Sequence, residues 1–276
     1  MKNQNETVKE EGVESKQKVA VVTGSSSGIG YATALNLARS GYLTFATMRN
    51  PAKGTDLIRA AENEKLPIQV EQLDVTDPNS IKDFITRKDE SVNRIDVLVN
   101  NAGYVSIGSL EDLSMKEIQD QLDTNLLGTI RITQQVLPVM RAQGSGLIVN
   151  ISSVLGRLGI PGMSAYVAGK FALEGLSESL AYEVGPFGIR VILIEPGVVK
   201  TRIFDNSVVG QGALREDSPY SGMLRSLNSA TNALIEHAST SDQVARQYSM
   251  QFRPQSTNFA ILLGMMQPPG WKRKAQ

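Results

Sequence analysis

A tyrosine and a lysine four residues apart, in Tyr166-Val167-Ala168-Gly169-Lys170, are the residues best placed to carry chemistry in this chain. Residues at this spacing lie one above the other on a helix, so the Tyr166 hydroxyl and the Lys170 ammonium can share one face. A nearby cation favours the phenolate, so we expect Lys170 to lower the pKa of Tyr166 from about 10 and make it usable near neutral pH. Ser153 lies thirteen residues before Tyr166. Taken alone, the Tyr-Lys pair is also compatible with an ordinary structural helix.

The composition excludes several other kinds of active site. The 276 residues contain no cysteine, which removes disulfides, thiolate nucleophiles and cysteine metal sites. His237 is the single histidine, so a multi-histidine zinc site is excluded and a Ser-His-Asp triad would depend on that one residue. We therefore expect acid–base chemistry from tyrosine, lysine or carboxylates, without a metal. Basic and acidic residues number 28 each, so neither nucleic acid nor a membrane is favoured, and the predicted partner is a small molecule.

Apolar runs alternate with helical patterns from Lys18 onward, which is typical of a parallel sheet covered on both faces. The apolar runs predict strands at Val19–Thr23, Leu43–Thr47, Ile68–Leu73, Val97–Asn100, Leu147–Ile151 and Val191–Ile194. The helical patterns predict helices over Gly30–Ser40, Thr55–Asn63, Pro78–Lys88, Met115–Leu127, Thr129–Gln143 and Ser164–Val184. Because β–α–β crossovers are right-handed, these elements predict a single-domain α/β protein, a doubly wound parallel sheet of the Rossmann type that binds its ligand at the carboxyl ends of the strands.

The catalytic domain is expected to span residues 18–245. Residues 1–17 are rich in Lys, Glu, Asn and Gln and predict a disordered tail. Residues 246–276 form an atypical carboxyl-terminal segment, in which Phe259–Met266 could supply a seventh strand. We recognise neither a signal peptide nor a run of about 20 apolar residues, so the sequence predicts a cytoplasmic protein.

A glycine-rich turn follows the first predicted strand, with the sequence Thr23-Gly24-Ser25-Ser26-Ser27-Gly28-Ile29-Gly30. Small residues let the backbone approach a pyrophosphate, and the amides at the start of the next helix attract its negative charge. The spacing of Gly24, Gly28 and Gly30 differs from the commoner G-x-G-x-x-G fingerprint. A tight structural connection remains the alternative to dinucleotide binding.

With these motifs in order, residues from Lys18 to Thr201 resemble the short-chain dehydrogenases/reductases. The resemblance implies the catalytic tetrad Asn125, Ser153, Tyr166 and Lys170. It also implies a dinucleotide site formed by Gly24, Ser26, Ser27, Gly28, Ile29, Gly30, Arg49, Asp74, Val75, Asn101, Ala102, Gly103, Tyr166, Lys170, Pro196, Gly197, Val199 and Thr201. By this resemblance Asp74 would lie against the adenine, and the turn from Pro196 to Thr201 would hold the nicotinamide carboxamide.

The resemblance implies carbonyl–alcohol interconversion by hydride transfer from or to a nicotinamide cofactor. Tyr166 would exchange the proton with the substrate oxygen, and Ser153 would polarise that oxygen. Lys170 would lower the pKa of Tyr166 and hold the nicotinamide ribose, while Asn125 would anchor a water that relays protons to Lys170. The alternative from another functional class is a catalytically silent redox sensor that binds NADP(H).

Several of these residues also have purely structural interpretations. Asp74 and Asp77 could be turn or cap residues beside Pro78. The hydroxyl of Ser152 competes with that of Ser153 for the catalytic role, and only the thirteen-residue interval to Tyr166 favours Ser153.

The end of the second strand predicts the choice of cofactor. NAD sites usually place a carboxylate there, about 20 residues beyond the glycines, to accept from the ribose 2′-hydroxyl. Here Met48 takes that position and Arg49 follows, whose guanidinium can donate to a 2′-phosphate. NADP(H) is therefore expected over NAD(H), and Met48→Asp is expected to reverse the preference. An exposed loop arginine is the alternative.

The resemblance also predicts the branch of the family and the class of substrate. Ala46–Asn50, Asn101–Tyr104 and Ala172–Gly175 resemble hydroxysteroid and retinol dehydrogenases and their microbial relatives, which favours an apolar ketone, aldehyde or secondary alcohol. The expected substrate contacts are Leu155, Pro161–Met163 and a substrate loop at Arg202–Glu236.

Assembly is also an expectation from the resemblance. Relatives pair the helices corresponding to Met115–Gln143 and Ser164–Val184 between subunits. The second helix carries additional apolar surface from Leu173, Leu176 and Leu180, so we expect a homodimer or homotetramer.

Overall fold

The computed structural model describes residues 17–200, 207–249 and 260–263. Within these residues the strands are β1 Val19–Thr23, β2 Leu43–Met48, β3 Ile68–Gln72, β4 Val97–Asn100, β5 Ser106–Ile107, β6 Gly146–Ile151, β7 Ile189–Pro196, β8 Val199–Lys200, β9 Val208–Val209, β10 Ser239–Thr240 and β11 Ala260–Leu263. The α-helices are α1 Gly28–Arg39, α2 Thr55–Glu64, α3 Pro78–Val92, α4 Met115–Leu122, α5 Gly128–Gln143, α6 Ser164–Val184, α7 Ser221–Glu236 and α8 Ser241–Ser249.

A parallel sheet with the strand order β11-β7-β6-β4-β1-β2-β3 forms the centre of the molecule. This confirms the expected doubly wound α/β fold. The order reverses between β1 and β4, and a crevice for a ligand opens at the carboxyl ends of strands at such a point. Ala260–Leu263 pairs with β7, which confirms the part of the expected seventh strand that lies in the described residues.

The sheet is covered by apolar side chains on both faces. Along β1, Ala20 and Val22 belong to one apolar cluster, while Val19 and Val21 belong to the other. Because side chains alternate along a strand, the two clusters lie on opposite faces. Helices α1, α2 and α8 pack on the first face, and α3, α5 and α6 pack on the second.

The structure differs from the predicted elements chiefly at two helices that reach the site. Helix α1 begins at Gly28 rather than Gly30, so it takes in the last two glycines of the turn. The predicted helix Met115–Leu127 is α4 followed by one π-helical turn at Asp123–Leu127, which leads directly into α5. An inserted π turn often marks a functional position, and this one contains Asn125.

The predicted ends of the domain fall mostly outside the described residues. The structure does not describe residues 1–16 of the expected tail. After residue 249 it describes only β11. Residues 246–249 end α8, whose Val244 and Ala245 pack in the core. Among the described helices, none is long and apolar enough to cross a membrane.

Candidate active site

The end of β6 and the first turns of α6 bring the predicted acid–base residues together. Tyr166 and Lys170 occupy successive turns of α6, and both side chains are buried. The Ser153 hydroxyl lies close enough to that of Tyr166 to act on its pKa. The Lys170 ammonium donates to the Ile151 carbonyl oxygen at 2.7 Å and lies 5.6 Å from the centre of the Tyr166 ring.

Burial controls the ionisation of both groups. It raises the pKa of Tyr166 to about 12, although the hydrogen bond with Ser153 acts in the opposite direction. It lowers the pKa of Lys170 to about 8, which the Glu174 carboxylate opposes. Contrary to the expectation, the pKa of Tyr166 is therefore raised in this structure, because the desolvation of the buried phenol outweighs the effect of Ser153.

The two neighbouring serines after β6 have different partners. Ser153 caps the short 3₁₀ turn Val154–Gly156 by accepting from the Leu155 amide at 3.1 Å, and its hydroxyl also meets Tyr166. The Ser152 hydroxyl instead donates to the carboxylate of Glu174. The geometry thus favours Ser153 as the residue beside Tyr166, as the spacing predicts.

Asn125 lies in the π-helical turn and is engaged with the backbone of Tyr104. Its side-chain oxygen accepts from the Tyr104 amide at 3.1 Å, and its nitrogen donates to the Tyr104 carbonyl at 2.8 Å. Asn125 therefore ties the segment after β4 to the helix that enters the site. Gly103 passes directly over it, since a Cβ at Gly103 would lie 3.2 Å from the Asn125 side-chain oxygen.

The glycine turn forms a concave backbone surface between β1 and α1. Gly24 and Gly28 have φ of 68° and 61°, a region that L side chains rarely adopt. A Cβ at Gly24 would lie 2.8 Å from the Cα of Ala102, and one at Gly30 would overlap the Gly24 carbonyl and the Asn101 amide. Ser27 precedes α1 but makes no side-chain cap bond. The open helix start, flanked by Ser26 and Ile29, fits a dinucleotide pyrophosphate.

Asn101 and Thr23 hold this turn in place. The Asn101 side chain donates to the carbonyls of Thr23 and Gly24, each at 3.0 Å. The Thr23 hydroxyl accepts the backbone amides of Asn101 and Ala102, each at 3.0 Å. The segment after β4 thus braces the loop after β1, which explains why the asparagine-rich run and the glycine turn occur together.

The predicted adenine-side residues follow β3. Asp74 accepts from the Thr76 amide and hydroxyl at 2.9 and 2.7 Å, which makes it a turn residue that remains half-exposed. Asp77 caps α3 by accepting from the Asn79 amide at 2.9 Å. Val75 is buried against Gly128, at which a Cβ would lie 2.7 Å from a Val75 methyl. The structural interpretation is confirmed for Asp77, whereas Asp74 can still face a ligand.

Arg49 and Met48 have opposite surroundings at the end of β2. The Arg49 side chain is exposed, and none of the carboxylates in the described segments pairs with it. Met48 is buried with 4% exposure and packs against Gly54. A carboxylate at Met48 would therefore need the strand end to rearrange before it could reach a ribose.

The turn after β7 is only partly described. Pro196 ends β7, Gly197 is half-buried, and Val199 lies buried in the short strand β8 beside β10. Thr201, the last predicted residue of this turn, lies outside the described residues, as does the first part of the expected substrate loop, 202–206.

An apolar cover lies over Tyr166. Met163 and Val105 are buried with Tyr166, and Leu155 and Leu227 pack against them. Leu227 comes from α7, so the described part of the expected substrate loop does reach the acid–base residues. A Cβ at Gly162 would lie 2.9 Å from Leu224 of the same helix, so α7 sits closely on the 161–163 segment.

An open cavity of ≈ 500 Å³ adjoins this cover. It lies beside Pro161 and Gly162 and is bounded by Leu110, Tyr220 and Met223. The lining of this cavity is mixed, because Ser109, Glu111 and Ser164 join the apolar side chains.

The sequence reasoning missed three charged residues next to the site. Glu174 lies one helical turn beyond Lys170 and is 6% exposed, although carboxylates are rarely buried without a partner. Arg157 Nη2 lies 2.8 Å from Glu174 and 3.1 Å from Glu195 at the end of β7. The four-residue spacing from Lys170 to Glu174 was the available signal; nothing in the sequence places Arg157 or Glu195 beside it.

Helix α6 packs closely on α4 beside Lys170. A Cβ at Gly169, the residue before Lys170, would lie 3.3 Å from a Leu122 methyl.

The chain is similar to known proteins over most of its length. The family model for short chain dehydrogenase matches residues 18–211. The chain is 45% identical over 194 residues to the uncharacterized oxidoreductase YusZ of Bacillus subtilis, covering 70% of this chain and 69% of that protein. It is 39% identical over 204 residues to human retinol dehydrogenase 8, covering 72% of this chain and 64% of that protein.

Among solved structures, the fold is similar to an alcohol dehydrogenase from Thermococcus sibiricus complexed with 5-hydroxy-NADP. The TM-score is 0.75 at 25% identity, over 92% of this chain and 99% of the other.

Proposed function

This chain belongs to the short-chain dehydrogenase/reductase family, oxidoreductases that act on alcohol groups, and from that premise we propose that it uses NADP(H) to interconvert an apolar carbonyl compound and its alcohol. The observation that carries the proposal is the buried group formed by Tyr166, Ser153 and Lys170 beneath apolar side chains. A bound nicotinamide would supply or accept the hydride.

The protein's own residues move the proton and hold the reacting oxygen. Tyr166 donates its proton to the carbonyl oxygen during reduction and takes it back during oxidation. Ser153, whose hydroxyl acts to lower the pKa of Tyr166, donates to the same oxygen and stabilises the charge that develops there. Lys170 keeps a positive charge one helical turn from Tyr166, and Asn125 holds the backbone of Tyr104.

The residues of the glycine turn support dinucleotide binding on structural grounds. Side chains are excluded at Gly24 and Gly30 by the approach of Ala102 and Asn101, so the backbone at the start of α1 stays accessible to a ligand. The exposed guanidinium of Arg49 supports the preference for a 2′-phosphate. One similar structure is a complex with a derivative of NADP.

The apolar cover favours substrates with a hydrocarbon body. Leu155, Met163 and Leu227 converge above Tyr166 in the described residues, and a charged thioester carrier would find no cation there. The relative named retinol dehydrogenase 8 acts, by its name, on such a compound. We therefore propose an apolar ketone, aldehyde or secondary alcohol, in a cytoplasmic homo-oligomer.

A panel of ketones, aldehydes and alcohols, assayed with NADPH and NADH by nicotinamide absorbance, tests the proposal. We expect turnover with apolar carbonyl compounds and NADPH. NADPH binding with no turnover on any carbonyl or alcohol would favour the redox sensor instead, and failure to bind either cofactor would contradict both functions.

A further inference from the structure

The end of β6 and helix α6 meet in a one-to-one pattern of contacts. The last residue of β6 and the two residues that follow it each contact one of three α6 residues spaced four apart. Ser153 meets Tyr166, the Ile151 carbonyl accepts from Lys170, and the Ser152 hydroxyl donates to Glu174. The proposed reaction uses the first two contacts but gives no role to the third.

The contact between Ser152 and Glu174 is buried and closely packed. Glu174 is 6% exposed, and burying a carboxylate is costly unless charge and hydrogen bonds compensate it. A Cβ at Gly156 would lie 2.9 Å from both Glu174 Oε1 and Ser152 Oγ, so the 3₁₀ turn can close over this pair only with glycine. The turn thus packs directly against both Glu174 and Ser152.

Arg157, the next residue, supplies the compensating charge. Its Nη2 lies 2.8 Å from Glu174 Oε2, but its N–H is directed at Glu195 Oε1, 3.1 Å away. Within the described part of the chain, Glu174 Oε2 takes no hydrogen bond, so its attraction to Arg157 is electrostatic. Arg157 therefore lies between two buried carboxylates and donates its hydrogen bonds to Glu195.

We propose that Glu174 is a positioning residue of the active site, which fixes the Ile151–Ser153 segment through Ser152 and supplies the negative charge that keeps Lys170 an ammonium. The inference rests on the proposed function, because it assigns Glu174 a part in the same proton transfer. Glu174 acts only through Ser152 and Lys170.

The charges around Glu174 and Lys170 determine the direction of the effect. Glu174 faces Lys170 on its own helix, Ser152 after β6, Arg157 after the 3₁₀ turn and Glu195 on β7. Burial raises the pKa of Glu174 to about 7, while Ser152 and Arg157 act to keep it ionised. Burial lowers the pKa of Lys170 to about 8, and Glu174 is the charge that opposes this decrease. Removing that charge should therefore lower the pKa of Lys170 further.

The pH dependence of carbonyl reduction tests the charge. Reduction needs a protonated Tyr166 beside a charged Lys170, so it should fall at alkaline pH as Lys170 loses its proton. Glu174→Gln keeps the shape and the acceptor for Ser152 but removes the charge. We expect the alkaline midpoint of kcat to move down by about half a pH unit to one pH unit. The shift is smaller than for an isolated carboxylate–ammonium pair, because the nearby charge of Arg157 partly offsets that of Glu174. An unchanged midpoint would overturn the charge role.

Glu178→Gln is the matched control, because Glu178 is an exposed carboxylate one turn further along α6. The same neutralisation there should leave the midpoint unchanged. A shift equal to that of Glu174→Gln would show a general charge effect and would overturn the assignment to Glu174.

Gly156→Ala tests the positioning role, since its methyl would separate Glu174 from Ser152. We expect kcat to fall about ten- to a hundredfold with little change in the KM for NADPH. Gly159→Ala, at which a Cβ meets nothing within 4 Å, should leave kcat unchanged. Equal kcat in the two variants would overturn the positioning role.

A direct titration separates this inference from the proposed function. If no carbonyl compound is reduced by the unmutated protein, the proposed function fails. The ¹³Cε resonance of Lys170, assigned with Lys170→Met, still reports the Lys170 pKa. A lower pKa in Glu174→Gln than in the unmutated protein supports the inference, and an equal pKa overturns it.

Discussion

The Lys170 ammonium donates to the backbone carbonyl oxygen of Ile151 at 2.7 Å, at the point where β6 ends. The lysine is thereby fixed to the sheet and its charge is held 5.6 Å from the centre of the Tyr166 ring. The strand end, rather than the tyrosine, sets the position of the ammonium. Tyr166 can therefore change its protonation state without moving the cation beside it.

Replacing Tyr166 by phenylalanine should separate binding from chemistry. The ring keeps its packing against Met163 and Val105, so cofactor affinity should stay close to normal. Turnover should fall by about a hundred- to ten-thousandfold, because the proton donor is lost. Tyr182→Phe, an exposed tyrosine on the same helix, is the control. Turnover near that of the unmutated protein would remove Tyr166 as the acid.

Lys170→Met should change how stability depends on pH. The folded-state pKa of Lys170 is lowered from 10.5 to about 8, so its contribution to stability is present above the unfolded value and is lost as pH falls through the folded value. Between pH 8 and 10.5 the unmutated protein should therefore gain free energy of unfolding relative to the variant, on the order of 1–3 kcal/mol. Urea unfolding at several pH values measures the difference, and a gap independent of pH would contradict it.

Arg49→Ala should weaken the preference for NADPH. A charge-assisted contact with the 2′-phosphate contributes about 1.5–3 kcal/mol, which corresponds to roughly ten- to a hundredfold in the ratio of kcat/KM for NADPH and NADH. Arg59→Ala removes the same charge from an exposed site on α2 and should leave the ratio unchanged. Undiminished selectivity in Arg49→Ala would show that this loop does not read the phosphate.

Met48→Asp is a less direct test of the same site. It was expected from the sequence to reverse the cofactor preference, but Met48 is buried against Gly54 and belongs to the core. We expect a lower melting temperature along with any change of preference, because an unpaired carboxylate would be placed among apolar groups. A variant as stable as the unmutated protein would show that this strand end opens readily.

Gly30→Ala should abolish cofactor binding. The added methyl would overlap the Gly24 carbonyl and the Asn101 amide, so the turn after β1 would have to shift. Gly175→Ala is the control, since a Cβ there meets nothing within 4 Å and alanine favours the helix by roughly 0.5–1 kcal/mol. Isothermal titration with NADPH measures binding, and normal affinity in Gly30→Ala would contradict the role of this turn.

The expected homo-oligomer requires apolar residues that the protomer leaves exposed. Leu173 and Leu180 cannot supply them, because the structure buries both within the protomer; Phe171 remains 46% exposed on α6. Phe171→Glu should therefore shift light scattering toward the monomer, while Phe187→Glu, with the same exposed fraction beyond the end of α6, should not. A monomeric unmutated protein at micromolar concentration would contradict the expectation.

The sequence by itself determined the fold and the placement of Tyr166 and Lys170 on one helix. Alternating apolar runs and helical patterns are local signals, and the buried strands β1, β4 and β6 lie within a residue of their predicted bounds. The Tyr166–Lys170 spacing is likewise fixed by helix geometry, so their shared helix could be predicted without knowing any tertiary contact.

Only the tertiary structure decided the surroundings of those groups. Whether Tyr166 is solvated depends on α7, which is distant in sequence, and its burial raises rather than lowers the pKa. The choice between Ser152 and Ser153 depends on Glu174, and the charge of Glu174 depends on Arg157 and on Glu195 at the end of another strand. The burial and the electrostatic environment of a site depend on residues from segments far apart in the chain. A local sequence pattern therefore cannot predict them.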